Sequence, residues 1–436
     1  MTDHSNPLKM KTLCLAIALG MSTVVTSAHA DALQDLKAQV DVLLKKVAEL
    51  EQKQVAASPA NAVTGGATKG SFKLPGSDTS VTLGGYVKLD AIYSDKSAGV
   101  GSTGDQLLLA GFIPVGPGAG DNERHQIKFH ARQSRLNVKT STPTGWGDVT
   151  TFMEFDLFGA SDNESVANSN NLRVRHAYGS IGGLLAGQTW STFMDVGALP
   201  ETLDFGGPVG EIFARQAQVR WTQPFSGGQW SLALENPESV VTLPNGASFR
   251  ADDDRAPDIA GNINFNTSMG RYSITGLVRQ IRVDSASAPA SQRDKWGGAV
   301  GFNGVIPTFG KDDVRFSANF GNVIGRYAGV GFFTDGILDA SGQIDLPTQW
   351  ATIASYRHFW SDQLRSTVAL SGLHSSNPSG TFGSVNKSAQ SAHVNLIWSP
   401  VANTNLGVEY IYGRREIENG QTGKLNRIQA SAQYSF

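Results

Sequence analysis

Seven basic residues, several of them at alternate positions, could together bind anions. They are Lys128, His130, Arg132, Arg135, Arg173, Arg175 and Arg220. Guanidinium groups donate paired hydrogen bonds to carboxylates, and a row of such cations raises the local concentration of anions. The side chains can act together only if the chain holds them on one face. Their spacing therefore requires elements that present alternate residues to a common side.

The segments that carry these residues have the period of β-strands. In residues 125–139, 147–158 and 171–182, apolar side chains recur at every second position. A strand directs successive side chains to opposite faces, so each segment has one apolar face and one polar face. The parity changes once between residues 132 and 135, and a β-bulge there would turn Arg135 to the polar face.

Sixteen such segments fill residues 80–436, and short and long connections alternate between them. Residues 143–147 form a short turn, whereas residues 95–124, 191–214 and 322–348 form long loops. An even number of strands with turns at one rim and loops at the other is typical of a transmembrane β-barrel. Lipid offers no hydrogen bonds, so the apolar face must point outward and the basic residues must line the lumen. We therefore expect an all-β transmembrane barrel of sixteen antiparallel strands rather than a soluble β-sandwich.

The composition and the N-terminus indicate an exported protein. The chain has 436 residues, 49 of them glycine, and a net charge of −2, which argues against nucleic-acid binding. Residues 1–30 are predicted as a signal peptide that is cleaved after Ala30, because a basic start, a short apolar run and a small-residue site follow one another. A membrane anchor is the alternative, but the apolar run is too short to span a bilayer. Cys14, the only cysteine, lies in this peptide, so the mature chain has no thiol chemistry.

The segment after the signal peptide has the pattern of a helix. Residues 31–54 carry apolar residues at spacings of three and four, as in the seam of a coiled coil. The seam residues are Leu33, Leu36, Val40, Leu43, Val47 and Leu50. The pattern leaves dimer and trimer open, and the alternative is an amphipathic helix that packs on its own chain. Residues 55–79, rich in small residues, are predicted as a flexible linker.

The long loop at residues 191–214 is too apolar to extend into water, so we expect it to pack on another surface. Folded into the lumen, it would constrict the barrel and place four acidic residues opposite the arginines of strands two, four and six. These acids are Asp195, Glu201, Asp204 and Glu211. Packing on a neighbouring subunit is the alternative. Any single arginine could also be neutralised by Asp90, Glu154 or Asp156.

The end of the chain and the lack of catalytic motifs narrow the function. The last segment, RIQASAQYSF, alternates and ends on Phe436. It resembles the terminal strand by which the barrel-assembly machinery recognises outer-membrane barrels. The sequence has no GxSxG, HExxH or phosphate-loop motif, so we expect no enzyme activity, no cofactor and no metal. An outer-membrane hydrolase is a disfavoured alternative.

Several longer runs resemble the DcaP-like family of trimeric outer-membrane porins. They are KLPGSDTSVTLGGYVKLDAIYSD, FHARQSRLNVKTSTPTGWGDV, LRVRHAYGSIGGLLAGQTWSTFMD, PETLDFGGPVG and GVEYIYGRRE. The resemblance implies a homotrimer of sixteen-stranded barrels in outer-membrane lipid and lipopolysaccharide, with the helix in the periplasm. It also implies passive uptake of small anionic solutes, with dicarboxylates as the expected class. The alternative from another class is a plugged structural or adhesive barrel without channel activity.

Overall fold

The computed structural model describes residues 30–57, 63–96, 103–119, 124–159, 161–163, 167–284 and 293–436. The predicted signal peptide lies outside these residues, apart from Ala30. The chain divides into two compact units, an N-terminal helical unit and the barrel, and each is described by itself. In the described part of the chain, no helix combines the length and the hydropathy needed to cross a membrane.

The N-terminal unit contains helix α1, Ala30–Ala57, over the segment for which the heptad spacing predicts a helix. From Leu36 onward its apolar seam is exposed: Leu43 and Leu50 are among the exposed large apolar side chains. An exposed apolar stripe on a single helix is what a coiled-coil seam presents before it associates. The association itself stays a prediction.

The barrel consists of sixteen antiparallel strands, as the sequence predicts. Their bounds are β1 Ser80–Lys96, β2 Arg124–His130 with Arg135–Thr142, β3 Val149–Asp156, β4 Arg173–Ile181, β5 Leu184–Trp190, β6 Arg215–Phe225, β7 Gly228–Glu235, β8 Asp258–Thr267, β9 Gly270–Arg282, β10 Asp294–Pro307, β11 Asp313–Gly321, β12 Thr348–Phe359, β13 Leu364–Ser376, β14 Asn386–Trp398, β15 Thr404–Ile417 and β16 Thr422–Ser435. Each strand pairs with the next, and the barrel closes where β1 pairs with β16. Closure leaves no unpaired strand edge along β1 and β16, where the backbone would otherwise face lipid.

Strand β2 is broken at residues 131–134. Its two halves both pair with β1, and Ser134 N donates to Ala131 O at 3.0 Å across the break. The Ser134 hydroxyl accepts a hydrogen bond from Lys88 N at 3.0 Å, which keeps the broken segment against β1. The second half places Arg135 opposite Tyr86 and Asp156. This break is the change of parity visible in the sequence.

The two faces of the strands differ as the alternation predicts. On β1, Leu83, Val87 and Leu89 are 54%, 60% and 49% exposed on the outside. Between them, Lys88 and Asp90 are 3% and 0% exposed on the inside. A hydrocarbon environment favours this inversion, because the apolar side chains contact lipid while the polar ones are satisfied within the barrel.

Pairing begins earlier than the predicted linker boundary at residue 79. A short strand, Phe72–Lys73, pairs with the first residues of β1, Phe72 opposite Val81. Pro75 and Gly76 form the turn between them, and Gly76 has φ +71, which glycine adopts without strain.

Other short elements lie in the long loops. Four strands form a small sheet: Val240–Thr242, Ser248–Arg250, Gly336–Leu338 and Ile344–Asp345. A two-stranded ribbon joins Ser161–Asn163 and Ser169–Asn170. One-turn helices occupy Thr103–Gln106, Ala110–Phe112, Val196–Ala198 and Gly325–Tyr327.

Three loop regions pack against one another and the inner wall. They comprise residues 103–119, 191–214 and 322–347, and they contribute Leu108, Ile113, Phe193, Val209, Ile212, Ile324, Tyr327 and Phe332 to a common apolar cluster. Inward strand residues such as Ile281, Leu373 and Ile411 complete it. The barrel therefore encloses an apolar core made by its loops.

Candidate functional site

The loop between β5 and β6 crosses the barrel interior. Leu203 N donates to Glu409 Oε2 on β15 at 2.7 Å, and Lys88 Nζ on β1 donates to Leu203 O at 2.7 Å. These partners stand on the wall away from the strands that carry the loop. Because both bonds are buried and involve a charged group, they fix the loop firmly.

Two of the loop acids pair with arginines on the far wall. Asp195 Oδ1 lies 2.6 Å from Arg271 on β9. Glu201 accepts hydrogen bonds from Arg365 on β13 at 2.8 and 2.6 Å, and Arg357 on β12 lies 3.4 Å away. Burial raises the pKa of Glu201, but hydrogen bonding to Arg365 and the charges of Arg365 and Arg357 lower it below its ordinary value overall. These two acids are thus placed against other arginines than those of β2, β4 and β6, because the loop reaches across the lumen.

The other two acids are buried inside the loop packing. Asp204 accepts hydrogen bonds from Leu108 N and Gly206 N, each at 2.9 Å, and lies 3.9 Å from Arg427. Burial, together with the neighbouring Asp204 charge, raises the pKa of Glu211 well above its ordinary value, against the opposing effect of Arg215. Burial therefore favours the neutral form of Glu211 more than for an exposed glutamate.

Strands β2 to β6 carry a row of arginines that we call the arginine wall: Arg135, Arg173, Arg175 and Arg220. Arg173 donates two hydrogen bonds to Asp156, of 2.9 and 2.6 Å. Arg175 donates to Glu154 at 2.6 Å and to Asp156 at 3.0 Å. Arg135 lies 3.7 Å from Glu154. The three arginines of β2 and β4 thus share two carboxylates.

Arg220 differs from the rest of the arginine wall. It follows Gln218 on the inward face of β6, and it is half-buried. Within the described residues, its guanidinium makes no hydrogen bond and no close ion pair, but it interacts electrostatically with Glu235 on β7. The four guanidinium charges are thus opposed by Glu154, Asp156 and, at longer range, Glu235, which leaves one formal positive charge in excess. Such an excess attracts small anions and repels cations.

The ring of Phe205, from the crossing loop, packs on the arginine wall. The guanidinium carbons of Arg135, Arg173 and Arg175 lie 5.6, 5.6 and 5.2 Å from its centroid. Phe205 also stacks on Phe158 at 5.3 Å. Arginines attract aromatic faces at such distances. The loop and the arginine wall therefore hold one another in place.

Three predicted site residues on β2 and its break take other positions. Arg132 is buried and donates to Gln106 Oε1 at 2.5 Å and to Gly159 O at 2.8 Å. His130 Nε2 lies 2.9 Å from Gln106 O. Lys128 is half-buried on the same face, one step nearer the long loops. The contacts of Arg132 and His130 anchor residues 103–119, which is a structural task.

Arg215 is a neighbouring cation that the sequence does not single out. Its guanidinium packs on Trp190 at 4.7 Å and on Phe213 at 5.2 Å. Nη1 is buried and donates to no acceptor in the described part of the chain. Arg215 begins β6 with the opposite parity to Arg220, so strand alternation gives no signal for it.

A second buried ionic site holds the loop at residues 322–347. Arg279 on β9 donates to Asp258 at 2.9 Å and to Asp335 of the loop at 2.6 Å, and all three are 0% exposed. Arg326 also reaches Asp258, at 2.7 Å. The apolar loop residues Val323, Ile324, Phe332 and Phe333 were a signal for inward folding of the same kind as in residues 191–214.

The described residues contain no group of three or more His, Cys, Asp or Glu side chains that could hold a metal. The arginine wall and the crossing loop present cations and aromatic faces to the barrel interior. The acids and bases named above are engaged with one another rather than aimed at a shared reacting atom.

Comparisons with known proteins agree with this architecture. The family model described as DcaP outer membrane protein matches residues 18–436. The crystal structure of the outer membrane channel DcaP of Acinetobacter baumannii is 25% identical with a TM-score of 0.73, and the match covers 86% of this chain and 100% of that one. No curated protein sequence matches the chain.

More distant structures share the fold alone. The anion-selective porin from Comamonas acidovorans is 11% identical with a TM-score of 0.54, over 82% of this chain and 100% of that one. A trimer form of OmpT from Vibrio cholerae is 10% identical with a TM-score of 0.53, over 82% of this chain and 99% of that one. The family and these neighbours are outer-membrane channels and porins, not enzymes.

Proposed function

We propose, from the premise that the chain belongs to the DcaP outer membrane protein family, that it is a passive porin for small anionic solutes, dicarboxylates in particular. The observation that carries the proposal is the arginine wall, in which three guanidinium groups share two carboxylates and Arg220 makes no close ion pair within the described residues. A dicarboxylate can bridge two such cations, and each contact is charge-assisted.

The proposal includes an assembly and a location. Three barrels associate in the outer membrane among lipid and lipopolysaccharide, and the exposed seams of three α1 helices form a coiled coil in the periplasm. Residues 1–30 direct export, with cleavage after Ala30. The barrel-assembly machinery recognises the last strand, which ends at Phe436. The trimer form of the outer membrane protein OmpT of Vibrio cholerae supports this assembly by analogy of fold.

Conductance and reversal potential test the proposal. The purified full-length protein is inserted into planar bilayers, and the reversal potential is measured under a potassium chloride gradient. We expect steady channels with a reversal potential displaced towards that of chloride. Steady channels that prefer potassium would contradict the proposed selectivity.

A plugged barrel is the second candidate function. It is favoured by the apolar cluster that residues 103–119, 191–214 and 322–347 build inside the barrel. The same recordings separate the two candidates. A structural or adhesive barrel gives no steady current, whereas a porin conducts in every insertion.

A further inference from the structure

A small pocket lies at the loop end of the barrel, away from the arginine wall. Its volume is about 190 Å³, and it is formed where β12 to β15 meet the loops at residues 242–248 and 331–337. Exposed Ser248 and Ser384 stand among its lining residues. At roughly 30 Å³ per water, the space corresponds to about six waters, which is room for a small organic acid.

Arg415 is the single ionisable side chain that lines this pocket. It points inward from β15, where its Nε donates to Asn386 Oδ1 at 2.8 Å and its Nη1 to Ile113 O at 3.1 Å. These bonds fix the guanidinium, while Nη2 donates to no acceptor in the described part of the chain. A fixed guanidinium with free N–H groups binds a carboxylate oxygen well, because the arginine side chain loses little further conformational entropy on binding.

Gln349 favours a ligand that carries a hydrogen-bond donor. The residue is 1% exposed, and its Nε2 reaches Thr334 O at 3.3 Å. Its Oε1 is buried and accepts no hydrogen bond from the protein residues described. A buried acceptor without a donor is unfavourable by about 1–3 kcal/mol, so a ligand that brings an O–H or N–H group is selected.

The rest of the lining is apolar or neutral. Phe332, Phe333, Ile337 and Val385 supply apolar surface, and Ser375 and Asn377 supply neutral polar groups. No carboxylate belongs to the lining itself; Glu418 lies behind it, where it accepts a hydrogen bond from Asn377 at 2.9 Å and is paired with Lys387 at 3.8 Å. The pocket thus combines one cation, one unsatisfied acceptor and an apolar wall.

We propose that this pocket is a separate outer binding site for small hydroxycarboxylates, which it holds before they move on to the barrel interior. The carboxylate pairs with Arg415, and the hydroxyl group donates to Gln349 Oε1. A dicarboxylate of the same length without a hydroxyl group pairs with Arg415 but donates no hydrogen bond to Gln349 Oε1. The pocket should therefore prefer malate to succinate, a preference that the arginine wall, which has only donors, does not predict.

Binding of malate and succinate to the detergent-solubilised full-length protein tests the inference. Saturation-transfer NMR titrations give the dissociation constant of each acid. In the wild type we expect malate to bind more tightly than succinate. Arg415→Met should raise the dissociation constants of both acids by about tenfold or more, which is the typical contribution of a hydrogen bond to a charged group. Gln349→Met, of nearly equal shape, should abolish the malate preference and leave succinate unchanged.

The matched control is Arg414→Met. Arg414 is the preceding residue of β15, points to the other face and pairs with Glu416 at 3.3 Å. This variant should bind both acids as the wild type does. Equal binding by the Arg415 and Arg414 variants, or a malate preference that survives Gln349→Met, would overturn the inference. If Arg415→Met does not fold, the Gln349 variant alone decides.

The outcome is independent of the proposed selectivity. Reversal potentials report on the arginine wall rather than on the pocket. The Arg415→Met and Arg414→Met channels should therefore have the same reversal potential as the wild type. A wild-type channel without anion preference would contradict the proposed function while the binding titrations still test the pocket.

Discussion

Replacing Arg220 by methionine isolates the contribution of one unpaired cation to anion selectivity. The substitution keeps the length of the side chain and removes its charge. The Arg220 guanidinium makes no hydrogen bond and no close ion pair within the described residues, so its loss breaks no direct contact with a carboxylate. Counted with Glu154, Asp156 and the more distant Glu235, the formal charge of the arginine wall falls from +1 to 0.

The size of the effect follows from Coulomb's law. The Coulomb attraction between the guanidinium and an anion about 6 Å away is about 0.7 kcal/mol in water and about 3 kcal/mol at an effective dielectric constant of 20. Removing that attraction lowers the chloride-to-potassium permeability ratio by about threefold at least and about 100-fold at most. A partly wet lumen should lie near the lower limit.

Reversal potentials in planar bilayers measure this ratio. The control is Arg250→Met, which removes the same charge from an external loop where the Arg250 side chain is 72% exposed. Salt screens a charge at that position, so the control should behave as the wild type. An unchanged reversal potential in Arg220→Met, or an equal shift in both variants, would refute the reasoning.

Two further predictions concern the inward loops. Replacing Arg279 by leucine leaves Asp335 buried without its arginine and Asp258 with Arg326 alone, which should lower the free energy of unfolding by roughly 3–5 kcal/mol in denaturant titrations; no loss of stability would contradict the assigned role. Glu201 tethers residues 191–214 through Arg365, and its pKa is lowered below 4.5. A depressed pKa means that the tether is intact above pH 4.5 and is lost as pH falls through the lowered pKa. Channel noise should rise only in that acidic range, and Glu201→Gln should be noisy at every pH.

The barrel could be predicted because lipid imposes a simple rule on every strand. Leu83, Val87 and Leu89 alternate with inward Lys88 and Asp90, and the same period is clear in β7 and β16. The alternation of short and long connections then indicates that the turns lie at one rim of the barrel and the long loops at the other. Even the break of β2 at residues 131–134 is visible as a change of parity.

The pairing of individual charges could not be predicted from the sequence. Asp195 and Glu201 meet Arg271 and Arg365 because their loop crosses the lumen, and no local pattern encodes how far it reaches. Arg132 has the same type and parity as a lumen cation, yet it is buried against Gln106. Tertiary packing, which joins residues far apart in the chain, decides these outcomes.

The inward loop at residues 322–347 was predictable in kind but was not singled out. Its apolar residues Val323, Ile324, Phe332 and Phe333 are as unsuited to water as those of residues 191–214. Arg215 had no such signal, because its parity at the start of β6 points away from the lumen. The aromatic rings that hold it come from β5 and the crossing loop.

Solute uptake into liposomes tests the central claim, passage of small anions past the arginine wall, most directly. Proteoliposomes containing the full-length protein are supplied with succinate or with succinamide, its neutral analogue of almost equal size. We expect succinate to enter faster than succinamide, and Arg220→Met to narrow the difference. Equal rates for the two solutes, or faster entry of the neutral one, would contradict an anion-preferring porin.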